Sequence, residues 1–143
     1  MLAALQFPVS RRPDEHATLA AARGEVWTMM RIGGFDEALV RSLIFVLDFE
    51  AERDGPALRS LRRLQGRRPD LDAARLSRMV HEQAAVLRLD RTIAVESLPA
   101  LLPDDEVSAA RLLESIRSLL GEAAGDRGVA QRFQHLARIV SFA

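Results

Sequence analysis

Asp36-Glu37-Ala38-Leu39-Val40-Arg41-Ser42-Leu43-Ile44-Phe45-Val46-Leu47 is the most informative stretch of the chain. Leu39, Val40, Leu43, Ile44, Val46 and Leu47 cover most of a helical circumference. A helix that is apolar nearly all round is a buried one. The stretch therefore predicts a central helix that starts at an Asp36 N-cap and is surrounded by other helices. Phe45 falls away from the main stripe, on the side of Arg41. That offset predicts a second contact surface there.

The flanking sequence supplies the surround. Upstream, Leu19, Ala22, Val26, Met29 and Met30 recur at helical spacing from about Asp14 to Ile32, with Trp27 beside them. Gly33-Gly34 ends that helix. Downstream, Asp54 can cap a helix with Pro56 in its first turn and Leu58, Leu61 and Leu64 facing inward. Asp72 caps the next, whose stripe is Leu76, Val80, Gln83 and Leu87. Asp90 caps a short one that ends before Pro99, a residue that holds Leu98 extended. Asp104 or Asp105 caps a sixth helix, with the stripe Ala109, Leu112, Leu113, Ile116, Leu119 and Leu120. A polar connection over Gly121 to Gly128 leads to a seventh, which buries Val129, Phe133, Leu136, Ala137 and Val140. No period-two alternation is sustained anywhere, so no strand is expected. The fold class is all-α: a compact bundle of about seven helices forming one domain over 14–143, preceded by an N-terminal arm over 1–13.

Composition excludes much chemistry. The absence of cysteine rules out disulfides, zinc thiolates and a thiol nucleophile. All 20 basic residues are arginine, so there is no lysine for a Schiff base or a phosphate loop. A net charge of zero offers no bulk attraction to nucleic acid or membrane. No run approaches the roughly 20 apolar residues of a membrane helix. Arg11-Arg12 follows the apolar run Met1 to Val9 instead of preceding it, unlike a signal peptide. The expected compartment is the cytoplasm.

Two surface features are candidate sites. Asp48, Glu50, Glu52 and Asp54 alternate along one turn, as oxygen ligands do at the start of a calcium loop. Arg53 stands where the loop glycine belongs and Arg59 where the bidentate glutamate belongs, so this is no EF-hand. A looser calcium or magnesium site is the alternative to a solvated turn. The second feature is the row Arg59, Arg63 and Arg67 at successive helical turns, with Arg62 and Arg68 beside it. The row can pair with neighbouring acids or stay solvated; its other readings are a surface for a partner's carboxylates or for phosphates. No aromatic residue interleaves it, which argues against a single-strand nucleic-acid platform. His81-Glu82-Gln83-Ala84-Ala85 lacks the second histidine of a zinc-protease helix. Gln83 interrupts an apolar stripe and reads as a buried hydrogen bond to a turn or helix end. No serine elbow, phosphate loop or dinucleotide fingerprint occurs.

Glu37-Ala38-Leu39-Val40-Arg41 with Leu43, Arg59-Ser60-Leu61-Arg62-Arg63-Leu64, and His81-Glu82-Gln83 through Leu89-Asp90 and Ala94 to Leu98-Pro99-Ala100-Leu101-Leu102-Pro103 carry a resemblance. From Gly34 to Ala143 the chain resembles the C-terminal helical region of an uncharacterised bacterial family of polyhydroxyalkanoate-synthase-like proteins that contain an α/β-hydrolase domain. That region in turn looks like the tellurite-resistance TerB-like fold of helical hairpins with acidic turns. The resemblance implies an all-α bundle and a link to polyester-storage or hydrolase proteins. It carries no catalysis, because the hydrolase domain and its nucleophile elbow are missing here. TerB-like domains are associated with an acidic metal site, for which Asp48 to Asp54 is the equivalent, although Arg59 stands where such domains usually place another acid. The expected function is a non-enzymatic protein-interaction module docking a partner through Phe45 or through Arg59, Arg62, Arg63 and Arg67. The alternative is a divalent-metal-binding sensor domain. A central apolar helix is compatible with a monomer and with a homodimer.

Overall fold

The computed structural model describes residues 24, 25, 27–48 and 55–141. Among them the architecture is all-α, with no strand. A helical segment over 27–30 leads into α1 (Phe35–Leu47), α2 (Gly55–Arg67), α3 (Ala73–Leu89), α4 (Arg91–Glu96), α5 (Leu98–Leu101), α6 (Ser108–Leu120) and α7 (Arg127–Ser141). A 3₁₀ turn over Gly121–Gly125 joins the last two. The expected N-terminal arm lies outside the described residues.

The central helix is where its sequence puts it. Ten consecutive residues of α1, Ala38 to Leu47, are buried. Helices α3, α6 and α7 pack along α1, and α2, α4 and α5 complete the surround. The stripes of α3 (Leu76, Met79, Val80, Val86, Leu87) and α6 (Leu112, Ile116, Leu119, Leu120) close on it from two sides, and Val129, Leu136 and Val140 of α7 from a third. The start of α1 differs from expectation. The helix begins one residue before Asp36, because the Glu37 carboxylate turns back to accept the Gly34 N–H at 2.9 Å. Asp36 is thereby free to receive the Arg68 guanidinium, 2.7 Å away.

Most other expected caps are present. Asp72 accepts from the Arg75 N–H at 2.8 Å and Asp90 from the Ile93 N–H at 3.0 Å. Asp105 holds both the approach to α6 and its first residue, Ser108: its Oδ1 accepts from the Val107 and Ser108 N–H groups, and its Oδ2 from the Ser108 hydroxyl at 2.8 Å. These bonds hold the Asp105 carboxyl below the usual carboxylate range, led by the Ser108 hydroxyl. Leu98 is helical, not extended. Pro99 sits in the first turn of α5, where its missing N–H costs nothing, and Leu98 gains complete burial. In α2 the inward face is Ala57, Ser60 and Leu64; Leu58 and Leu61 are only half-buried. The Ser60 hydroxyl can face the core because it donates to the Leu119 carbonyl at 2.9 Å.

Candidate functional site

Each residue singled out in the sequence has a definite position or lies outside the described chain. Of the acidic turn, Glu50, Glu52 and Asp54 lie outside it. Asp48 closes α1 in the left-handed conformation, with φ of 50°. Its two carboxylate oxygens face Arg91 at 2.9 Å and Arg132 at 4.0 Å. The same two arginines serve the carbonyls that a helix C-terminus leaves unpaired: Arg91 Nη2 donates to Phe45 O at 3.3 Å, and Arg132 Nε to Val46 O at 2.8 Å. Asp48 thus belongs to an arginine-built cap of the central helix. Among the described residues no group of three or more potential ligands gathers in a metal-holding arrangement.

Phe45, expected to present a contact surface, is 6% exposed. The Arg91 guanidinium lies over its ring at 4.9 Å and the His135 ring is 6.0 Å away. The surface predicted there is filled by α4 and α7 of the same chain. The arginine row on α2 is divided. Arg63 Nη1 donates to Leu119 O at 2.9 Å and Arg67 Nη1 to the Ser118 hydroxyl at 2.6 Å, so both serve the end of α6. Arg59 and Arg62 are exposed. Arg68 bonds Asp70 and Asp36, which raises its pKa further.

The residue that sequence reasoning missed is Arg41. It sits in the middle of α1 with no exposed surface. Nε donates to Gln83 Oε1 at 2.8 Å, and Nη1 to the carbonyls of Met30 at 2.8 Å and Ala94 at 3.0 Å. One guanidinium therefore joins the end of the 27–30 segment, α3 and α4 to the central helix. Burial pushes the Arg41 pKa down to about 10, opposed by the nearby Glu37 charge, so the group is cationic at neutral pH. Gln83 does make the structural bond expected of it, but its partner is a buried cation rather than a turn. The signal was present: two polar residues, Arg41 and Gln83, each interrupting an apolar helix face.

A pronounced concavity lies elsewhere. A groove of about 610 Å³ runs between the 27–31 segment, α5 and the approach to α6. Trp27 and Arg31 form one wall, with the Arg31 guanidinium 5.8 Å from the Trp27 ring centre. Leu102, Pro103, Ala109 and Val140 supply apolar lining, and Glu96, Asp104 and Asp105 place three acids along it. Trp27 is 41% exposed, and Glu96 and Asp104 are exposed beside it. The groove combines a large aromatic side chain, an apolar floor and a net negative edge.

No protein-family model, curated protein or solved structure matches this chain. Among the described residues no helix is long and apolar enough to cross a membrane.

Proposed function

We propose that the chain is a non-enzymatic interaction module whose groove beside Trp27 docks a partner segment that is apolar on one side and basic on the other. The observation that carries this reading is Trp27 itself. Tryptophan is enriched in interface hot spots, and here it stands two-fifths exposed at a concave, partly apolar surface. Charge defines the partner. Glu96, Asp104 and Asp105 outweigh Arg31 along the groove, so a segment bearing arginine or lysine next to leucine-like side chains is complementary. The resemblance from Gly34 onward makes a hydrolase-like or polyester-storage protein the first partner to examine. The arrangement of Asp48 with Arg91 and Arg132 favours a structural role for that carboxylate over metal binding.

Isothermal titration with a synthetic leucine–arginine amphipathic peptide tests the groove. The same peptide with glutamate in place of arginine is the control. The arginine peptide binds, the glutamate peptide does not, and Glu96→Arg with Asp104→Arg reverses the preference. Equal binding of the two peptides, or indifference to the charge reversal, contradicts the proposal.

A further inference from the structure

A second pocket, of about 400 Å³, opens between the 27–32 segment and α3. This volume falls within the range of small-molecule sites, about 300–1,000 Å³. Met29, Ile32, Val86 and Leu89 give it apolar walls, and Arg41 and Gln83 line it from the buried side. Met29, Ile32 and Leu89 are 48%, 65% and 57% exposed, an unusual concentration of large apolar side chains at one mouth.

The polar end is incomplete. Arg41 uses Nε and Nη1 on Gln83, Met30 and Ala94, while Nη2 is buried without a hydrogen-bond partner among the described residues. An unsatisfied buried donor is costly, and an acceptor brought to it recovers that cost. The charge of that acceptor follows from the surroundings. Glu37 and Glu82 also line the pocket, so its lining carries two acids against the one Arg41 guanidinium. An incoming anion would meet a net negative site, whereas a neutral carbonyl oxygen satisfies Nη2 without repulsion.

We propose that this pocket binds a small neutral amphiphile, its apolar chain between Met29, Ile32, Val86 and Leu89 and its carbonyl oxygen accepting from Arg41 Nη2. The proposal is independent of the Trp27 groove, which involves none of these residues.

NMR titration of the full chain with hexanamide and with hexanoate tests it. The two probes share an apolar chain and differ in head-group charge. Hexanamide should saturate one site, shift the Arg41 Nε–H resonance and bind about tenfold more tightly than hexanoate. Ala85→Trp, placed at an exposed lining position, should abolish binding while leaving the helical circular dichroism intact. Glu82→Gln should narrow the gap by strengthening hexanoate. Equal affinities, no saturable binding of either probe, or binding that survives Ala85→Trp with the Arg41 resonance unmoved overturns the proposal; an ordered water on Nη2 is then the simpler occupant.

Discussion

Arg41 and Gln83, 42 residues apart in sequence, meet in the interior through a 2.8 Å hydrogen bond from Nε to Oε1. Both residues are removed from bulk solvent: Arg41 has no exposed surface and Gln83 is 5% exposed. The bond ties the central helix α1 to α3. Through Nη1 the same guanidinium holds the carbonyls of Met30 and Ala94.

Removing one partner should cost more than removing both would suggest. Arg41→Met leaves Gln83 and two carbonyls unpaired, for a loss of about 3–5 kcal/mol. Gln83→Leu leaves a buried guanidinium N–H unmatched, for about 1–3 kcal/mol. Urea unfolding of the double variant should show a loss smaller than the sum, with coupling of about 1–2 kcal/mol. Strict additivity would mean that the bond contributes nothing of its own.

The alkaline limb of stability should be unusual. The chain has no lysine, tyrosine or cysteine, so no side chain with an ordinary pKa near 8.5–10.5 is present to titrate. Burial lowers the folded pKa of Arg41 to about 10. A lowered basic pKa means that the folded state sheds its proton first, and stability then rises with pH. The urea midpoint should stay level up to about pH 10 and climb above it. Arg41→Met should abolish the climb, and a fall with pH in the wild-type protein would contradict the assignment.

Gly121 and Arg63 should also be coupled, in the same sub-additive sense. Gly121 has φ of 54°, and an added Cβ would lie 2.5 Å from Arg63 Nη1. Gly121→Ala should cost about 1–3 kcal/mol in chemical denaturation, from backbone strain together with displacement of the guanidinium that serves Leu119. In an Arg63→Ala background the same substitution should cost less, because only the backbone strain remains.

Asp105 offers a pH test at the edge of the Trp27 groove. Its carboxyl pKa is held down first by the Ser108 hydroxyl and then by backbone N–H groups. A depressed carboxylate supports the fold above its unfolded pKa of about 4 and loses that contribution as pH falls through the lower folded value. Ser108→Ala should move the Asp105 carboxyl ¹³C titration upward, toward the ordinary range. An unchanged titration would assign the depression to the backbone alone.

The sequence was most legible where apolar spacing alone decides the outcome. The burial of α1, the inner stripes of α3 and α6, and the caps at Asp72 and Asp90 follow from residues within one or two turns of each other. Features that depend on distant parts of the chain were not legible. Arg41 looks like an outward residue until Gln83, Met30 and Ala94 surround it. Phe45 looks like a contact surface until Arg91 and His135 cover it. Leu98 is pushed toward extended backbone by Pro99, yet burial against the core selects a helical turn. The Trp27 groove joins 27–31 to residues near 100 and to Val140, and no local pattern announces such a junction.

Trp27 is the only tryptophan in the chain, so its emission reports on the proposed docking groove without a label. Titrating the leucine–arginine peptide while recording that emission, with acrylamide present as a quencher, is the most direct test. The account predicts a blue shift and loss of quenching that saturate together with the binding isotherm. Binding of the peptide with the Trp27 emission and its quenching unchanged would place the interaction elsewhere and contradict the account.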